Sequence, residues 1–213
     1  MIRIWHGALA VLIAIAFLGQ FALTIKNDTS IVNLFSYFTI QSNLLVMVTA
    51  ALIAVNPQRD ERWFRILRFA GLIGITVTGI VFATVLAGKA DLSGASWVYD
   101  KMFHYIAPVA TVVGWVVLRP RTRFEKGDLY ALVWPFVWLA YTLIRGEVSA
   151  PRSLNFGNEL TNYPYPFLDA DREGYLSVGI SCVVITVLFT GLAALYLWLT
   201  KRLATWPSSR HPR

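Results

Sequence analysis

The sequence predicts an all-α integral membrane protein, a bundle of six transmembrane helices with both ends of the chain cytoplasmic. Three observations carry that expectation. The 213 residues are 56% hydrophobic and only 15% charged, with a mean hydropathy of +0.56, which is too apolar for an ordinary soluble domain. Six stretches approach the roughly 20 apolar residues that a span requires. The Lys and Arg residues between those stretches alternate from dense to sparse, as they do when one face is cytoplasmic.

The first stretch, residues 4–25, is longer than the apolar core of about 7 to 15 residues in a signal peptide, and no small-residue cleavage site follows, so it reads as a retained span. The second, 34–55, opens on a polar run. The third, 66–87, sets Thr76, Thr78 and Thr84 among Gly71, Gly74 and Gly79, a pattern of close helix packing. The fourth, 97–118, begins at Trp97 and Tyr99, residue types that favour the interface. The fifth, 129–144, is short and carries Pro135 near its middle, where a kink is expected. The sixth, 175–199, holds Cys182, which reads as a small packed hydrophobe. Residues 1–204 form one domain, and 205–213 read as a disordered basic tail on the cytoplasmic side.

Arg3, Arg59, Arg62, Arg65, Arg68, Arg119, Arg121, Arg123, Lys126, Lys201, Arg202, Arg210 and Arg213 fall on one face. Lys26, Lys89, Lys101, Arg145, Arg152 and Arg172 fall on the other. Short juxtamembrane loops facing anionic headgroups account for the net charge of +7 without a nucleic-acid partner. The outer face has the longer loops, 88–96 and 145–174. The second contains Asn162-Tyr163-Pro164-Tyr165-Pro166-Phe167-Leu168-Asp169, whose prolines exclude a regular helix. Its aromatic residues, Tyr165 among them, either anchor at the headgroups or cover a substrate site.

The second span opens with Ser36, Thr39, Ser42 and Asn43, which share one face of a helix while Gln41 points elsewhere. Spans two and four both run inward from the outer face, so Thr39 and His104 lie at matching depth. A hydroxyl and a neutral imidazole support nucleophilic acyl transfer, with the ring taking the proton as the oxygen attacks an ester carbonyl. Asp100, four residues before His104, is placed to fix its tautomer; Lys101 is an alternative neighbour. Asn43, one turn deeper than Thr39, is a candidate oxyanion donor, and Ser42 a weaker one. Arg145 either binds a fatty-acid carboxylate bidentately or snorkels. The competing interpretation is structural: Thr and Ser bond their own helix carbonyls, and Asn or His bridges helices.

His6 and His211 belong to the other half and no metal-ligand motif occurs, so neither a metal nor a cofactor is expected. Every Asp and Glu falls in a loop or at a segment edge, which disfavours proton-coupled transport. Non-catalytic lipid binding stays open.

The runs Tyr37-Phe38-Thr39-Ile40-Gln41-Ser42-Asn43, Phe103-His104-Tyr105-Ile106-Ala107-Pro108 and Tyr163-Pro164-Tyr165-Pro166-Phe167-Leu168-Asp169 together resemble the prokaryotic six-transmembrane relatives of the androgen-induced-gene family. The resemblance spans most of the chain. It implies a membrane threonine hydrolase of fatty acid esters of hydroxy fatty acids, with the family nucleophile matching Thr39 and the family histidine matching His104. The Gln41-Ser42-Asn43 run and the tyrosine-proline loop are features of the prokaryotic branch.

Overall fold

The computed structural model describes residues 1–89, 92–148, 153–154 and 160–204. Arg152 and the basic tail lie outside them. The described chain is predominantly helical: α1 (Ile2–Lys26), α2 (Ile31–Ser36), α3 (Phe38–Val55), α4 (Arg62–Val81), α5 (Gly94–Lys101), α6 (Ala107–Val117), α7 (Val133–Val148) and α8 (Ala170–Ala204). A π-helical turn, Phe82–Leu86, extends α4, and a second, Met102–Ile106, joins α5 to α6. Two short strands, β1 (Ser153–Leu154) and β2 (Leu160–Thr161), pair antiparallel in the loop before α8.

Among the described residues five helices are long and apolar enough to cross a membrane: Ile2–Lys26, Phe38–Val55, Arg62–Leu86, Lys126–Val148 and Ala170–Leu203. The outward faces of α1 and α8 leave Val11, Ile15, Leu18, Ile180, Val183 and Val187 exposed, a surface that only an apolar solvent accommodates. The chain is therefore a multi-pass, all-α membrane bundle. The continuous helical stretch 94–117 is less apolar because Asp100, Lys101 and His104 sit within it.

The central helix is α4, whose Phe69, Leu72, Ile73 and Ile75 are fully enclosed. On one side it packs with α1, α3 and α6, on the other with α6, α7 and α8. Its glycines allow this. A Cβ at Gly79 would lie 3.0 Å from the Pro108 Cβ, and the His104 carbonyl oxygen would be 3.7 Å away. Gly79→Val should destabilise the fold by about 1 to 3 kcal/mol, since added bulk forces α6 away from α4; thermal unfolding in detergent measures this. The threonines nearby bond across helices, Thr76 to Tyr196 at 2.7 Å and Thr78 to Ser42 at 2.9 Å.

The basic loops meet at one end. Trp5 Nε1 donates to the Ala110 carbonyl (3.1 Å), Arg65 pairs with Asp128 (3.1 Å), and Arg121 donates to the Leu203 carbonyl (3.3 Å). At the other end Trp138 Nε1 donates to the Ser36 carbonyl (2.9 Å) and Arg145 to Asn33 Oδ1 (3.3 Å).

Two elements differ from expectation. Pro135 lies in the first turn of α7, after a 3-10 turn over Lys126–Leu132, where its missing N–H costs nothing, so no mid-helix kink results. Span two is not one helix. Ser30 caps α2 by accepting the Asn33 N–H at 3.1 Å, and the chain then breaks at Tyr37 (φ −68°, ψ 125°) before α3 starts afresh at Phe38.

Candidate active site

The break at Tyr37 decides where Thr39 sits. Thr39 becomes the second residue of α3, where backbone N–H groups have no partner inside the helix and the helix dipole is positive. Ser36, left behind on α2, faces Tyr141 at 2.9 Å and the Trp138 indole. The expected four-residue polar face is therefore divided, because the extended residue ends one helix and begins another.

Thr39 Oγ1 lies 3.2 Å from His104 Nε2, so residues expected only to share a depth are in contact. On the far side of the ring, His104 Nδ1 stands 2.9 Å from Asp100 Oδ1 and 3.0 Å from the Asp100 carbonyl oxygen. Both partners only accept, so Nδ1 carries the hydrogen. In the neutral ring Nε2 then keeps its lone pair and accepts the Thr39 hydroxyl hydrogen. Asp100 Oδ2 accepts from Lys101 Nζ at 3.1 Å, so each carboxylate oxygen has its own donor. Lys101 thus reinforces Asp100 without displacing it. The Phe82 ring stacks on the imidazole at 4.0 Å, and Thr39, Asp100 and His104 are all buried. Each of the two π-helical turns supplies one ring of that stack, in keeping with the frequency of such turns at functional sites.

The tyrosine-proline loop reaches over this group. Tyr165 is buried, with its hydroxyl 3.3 Å from both Thr39 Oγ1 and Thr39 N, and it also bonds the Phe38 backbone. With the Thr39 hydroxyl donating to His104, the Tyr165 O–H donates to Thr39 Oγ1 while its oxygen accepts the N–H groups that open α3. Burial pushes the Tyr165 phenol above its ordinary range, which keeps it a neutral donor. The Tyr163 hydroxyl donates to Glu147 at 3.0 Å, and Asp169 accepts from Thr161 at 2.5 Å, so the loop is tied down at both ends. Tyr165 thus turns inward onto Thr39, while Tyr163 is buried with its ring against Gly146.

Asn43 does not point into the site. Its amide donates to the Thr39 carbonyl (2.9 Å) and to the Phe103 carbonyl (3.3 Å), which commits both hydrogens and braces α3 against the His104 helix. Ser42 donates to the Thr39 carbonyl at 3.1 Å and bonds Thr78, so it too is structural. Arg145 reaches Asn33 and the Asn162 carbonyl (3.4 Å), both outside the Thr39–His104 group. Gln41 turns away to Trp134 and the Phe35 carbonyl.

The donors missed from the sequence are the backbone N–H groups at the start of α3. Ser30, a preferred N-cap residue four positions before residue 34, was the available sign of an early helix start. Among the described residues no three His, Cys, Asp or Glu side chains come together as metal ligands. Comparison of the chain with protein-family models, with curated proteins and with solved structures finds no match.

Proposed function

We propose that the protein is an intramembrane ester hydrolase that uses Thr39 as nucleophile, His104 as general base and then acid, and Asp100 as the group that orients the ring. The observation that carries this is the unbroken chain from Thr39 Oγ1 through His104 to Asp100 at 3.2 and 2.9 Å. As Thr39 Oγ1 bonds to the ester carbonyl carbon, its proton passes to His104 Nε2. The tetrahedral oxyanion collapses, the C–O bond to the alcohol breaks, and Nε2–H protonates the departing oxygen. Water then loses a proton to Nε2 and attacks the acyl-threonine, and the same proton returns to Oγ1 as the acid leaves.

The oxyanion inserts between the Thr39 N–H and the Tyr165 O–H, whose mutual 3.3 Å contact is long and easily opened. Tyr165→Phe is therefore expected to lower kcat by about 100- to 1,000-fold with little change in KM. Steady-state kinetics on the purified variant measures that split.

The substrate class follows from the surroundings. A largely apolar groove of about 480 Å³ between α2 and α7 is lined by Ile31, Val32, Phe35, Trp134 and Tyr141, with Gln41 and with Trp138, whose ring centroid stands 6.0 Å from that of Tyr165. A long acyl chain fits that groove from the bilayer side. Fatty acid esters of hydroxy fatty acids, or related acyl esters, satisfy both this and the resemblance to the androgen-induced-gene family. In this reading the stretch 94–117 also crosses the membrane, as the fourth of six spans, both termini are cytoplasmic, and Thr39 faces the outer side of the cell membrane.

A fluorophosphonate probe followed by peptide mass spectrometry tests the assignment: the expected adduct is on Thr39, and an adduct elsewhere or none refutes it. The groove also favours a second reading, passive lipid binding. Purified protein that keeps an acyl ester intact across a lipid panel would establish that alternative.

A further inference from the structure

At the opposite end of the bundle lie two neighbouring cavities that share Pro120 and Arg121. The outer, about 210 Å³, is lined by Arg119, Arg121, Arg123, Thr200 and Leu203. Arg119 and Arg123 are exposed, whereas Thr200 is buried and its hydroxyl has no hydrogen-bond partner, although a helical threonine ordinarily bonds the preceding turn. Arg121 forms the partition. It donates through Nε to the Trp115 carbonyl at 2.7 Å, through one terminal nitrogen to the Leu203 carbonyl, and through the other to the Val116 carbonyl, so it closes the ends of α6 and α8. Burial, and then the Arg119 charge, pull the Arg121 guanidinium below its ordinary value.

Beneath the partition, Arg68 is 1% exposed. It reaches His6 Nε2 at 3.3 Å, while His6 Nδ1 is held 2.9 Å from the Ile2 carbonyl. Its Nε and one terminal nitrogen are buried without an acceptor. No carboxylate lines either cavity among the described residues. A buried guanidinium ordinarily has a compensating anion, because an uncompensated charge in low dielectric is costly. The inner cavity, about 10 Å³, has room for about one water. Arg68 lines the inner cavity and not the outer one.

We propose that this outer cavity is a phosphate-binding site in which Arg119, Arg123 and the Thr200 hydroxyl hold the phosphate of an anionic membrane lipid or of a soluble phosphate compound. Its size suits one phosphate with part of its ester, and basic pockets between helices on the cytoplasmic side are recurrent sites for such headgroups. The site is independent of the hydrolase reading.

The test is thermal unfolding of the full-length protein in a neutral detergent, titrated with phosphatidylglycerol, with phosphatidylcholine, or with inorganic phosphate. Phosphatidylglycerol should protect at concentrations about 10-fold or more below phosphatidylcholine. Arg119→Gln/Arg123→Gln should weaken that protection by about 30-fold, and Thr200→Val by about 10-fold. Arg62→Gln/Lys126→Gln removes the same charge at residues that line neither cavity and should leave protection unchanged. Protection by inorganic phosphate that the Arg119/Arg123 variant loses assigns the site to a soluble ligand; protection by phosphatidylglycerol alone assigns it to lipid. Equal protection by the two lipids with none from phosphate, or equal loss in the control variant, overturns the proposal.

Discussion

Thr39→Ala is expected to abolish ester hydrolysis, with kcat falling about 10⁴- to 10⁶-fold, the range in which loss of a nucleophile leaves only binding and the oxyanion donors. Thr39→Ser keeps the oxygen and should stay within about 10-fold of the parent, since only the methyl on Cβ is lost. The pair separates chemistry from architecture. If Thr39 merely bridged helices, alanine would cost about 1 to 3 kcal/mol by leaving Tyr165 and His104 short of a partner, and any turnover would survive in the folded fraction. Measuring turnover and unfolding on the same preparations settles which applies: a folded alanine variant that still hydrolyses would exclude Thr39 as the nucleophile.

Asp100→Asn should be nearly as severe, about 10⁴-fold in kcat, with a smaller effect on stability. The substitution keeps the size of the side chain but presents an amide that can donate. A ring turned to accept at Nδ1 would carry its hydrogen on Nε2, facing Thr39, and could no longer take the hydroxyl proton. Asp100→Glu should recover part of the loss, because a carboxylate still accepts from Nδ1. Lys101→Gln, which removes only the second donor to Asp100, should cost far less. Nuclear magnetic resonance of the His104 ring nitrogens reads the tautomer directly, and an unchanged tautomer in Asp100→Asn would refute this account.

These contacts were partly legible in advance. Positive charge at one end and the lengths of the apolar stretches place Thr39 and His104 at matching depth, and helical periodicity puts Asp100 one turn from His104. Asn43 was assigned by the same periodicity and does not fit, because depth along a helix does not fix what the opposite helix offers. Phe103 presents a bare carbonyl there, and the amide satisfies it. The break at Tyr37 contains no glycine or proline and so left no strong local signal. Tyr165 lies 126 residues from Thr39, and nothing local in a tyrosine-proline loop says which ring turns inward. Pro135 was read as a kink because its helix was expected to start at residue 129; residues 126–132 form a 3-10 turn instead, so α7 starts only at Val133 and the proline falls in its first turn.

The π-helical turn at Met102–Ile106 has a consequence for how the sequence can vary. Such a turn holds one residue more than an α-helical turn of the same rise, so it records the number of residues between α5 and α6 and not only their kinds. Deleting Met102 would leave Asp100 three residues before the histidine instead of four and turn it by about 100° around the helix axis, away from the ring nitrogen. Substitutions along this helix can accumulate one by one, but its residue count is frozen: a single-codon deletion would uncouple Asp100 from His104 while every side chain of the site was still encoded.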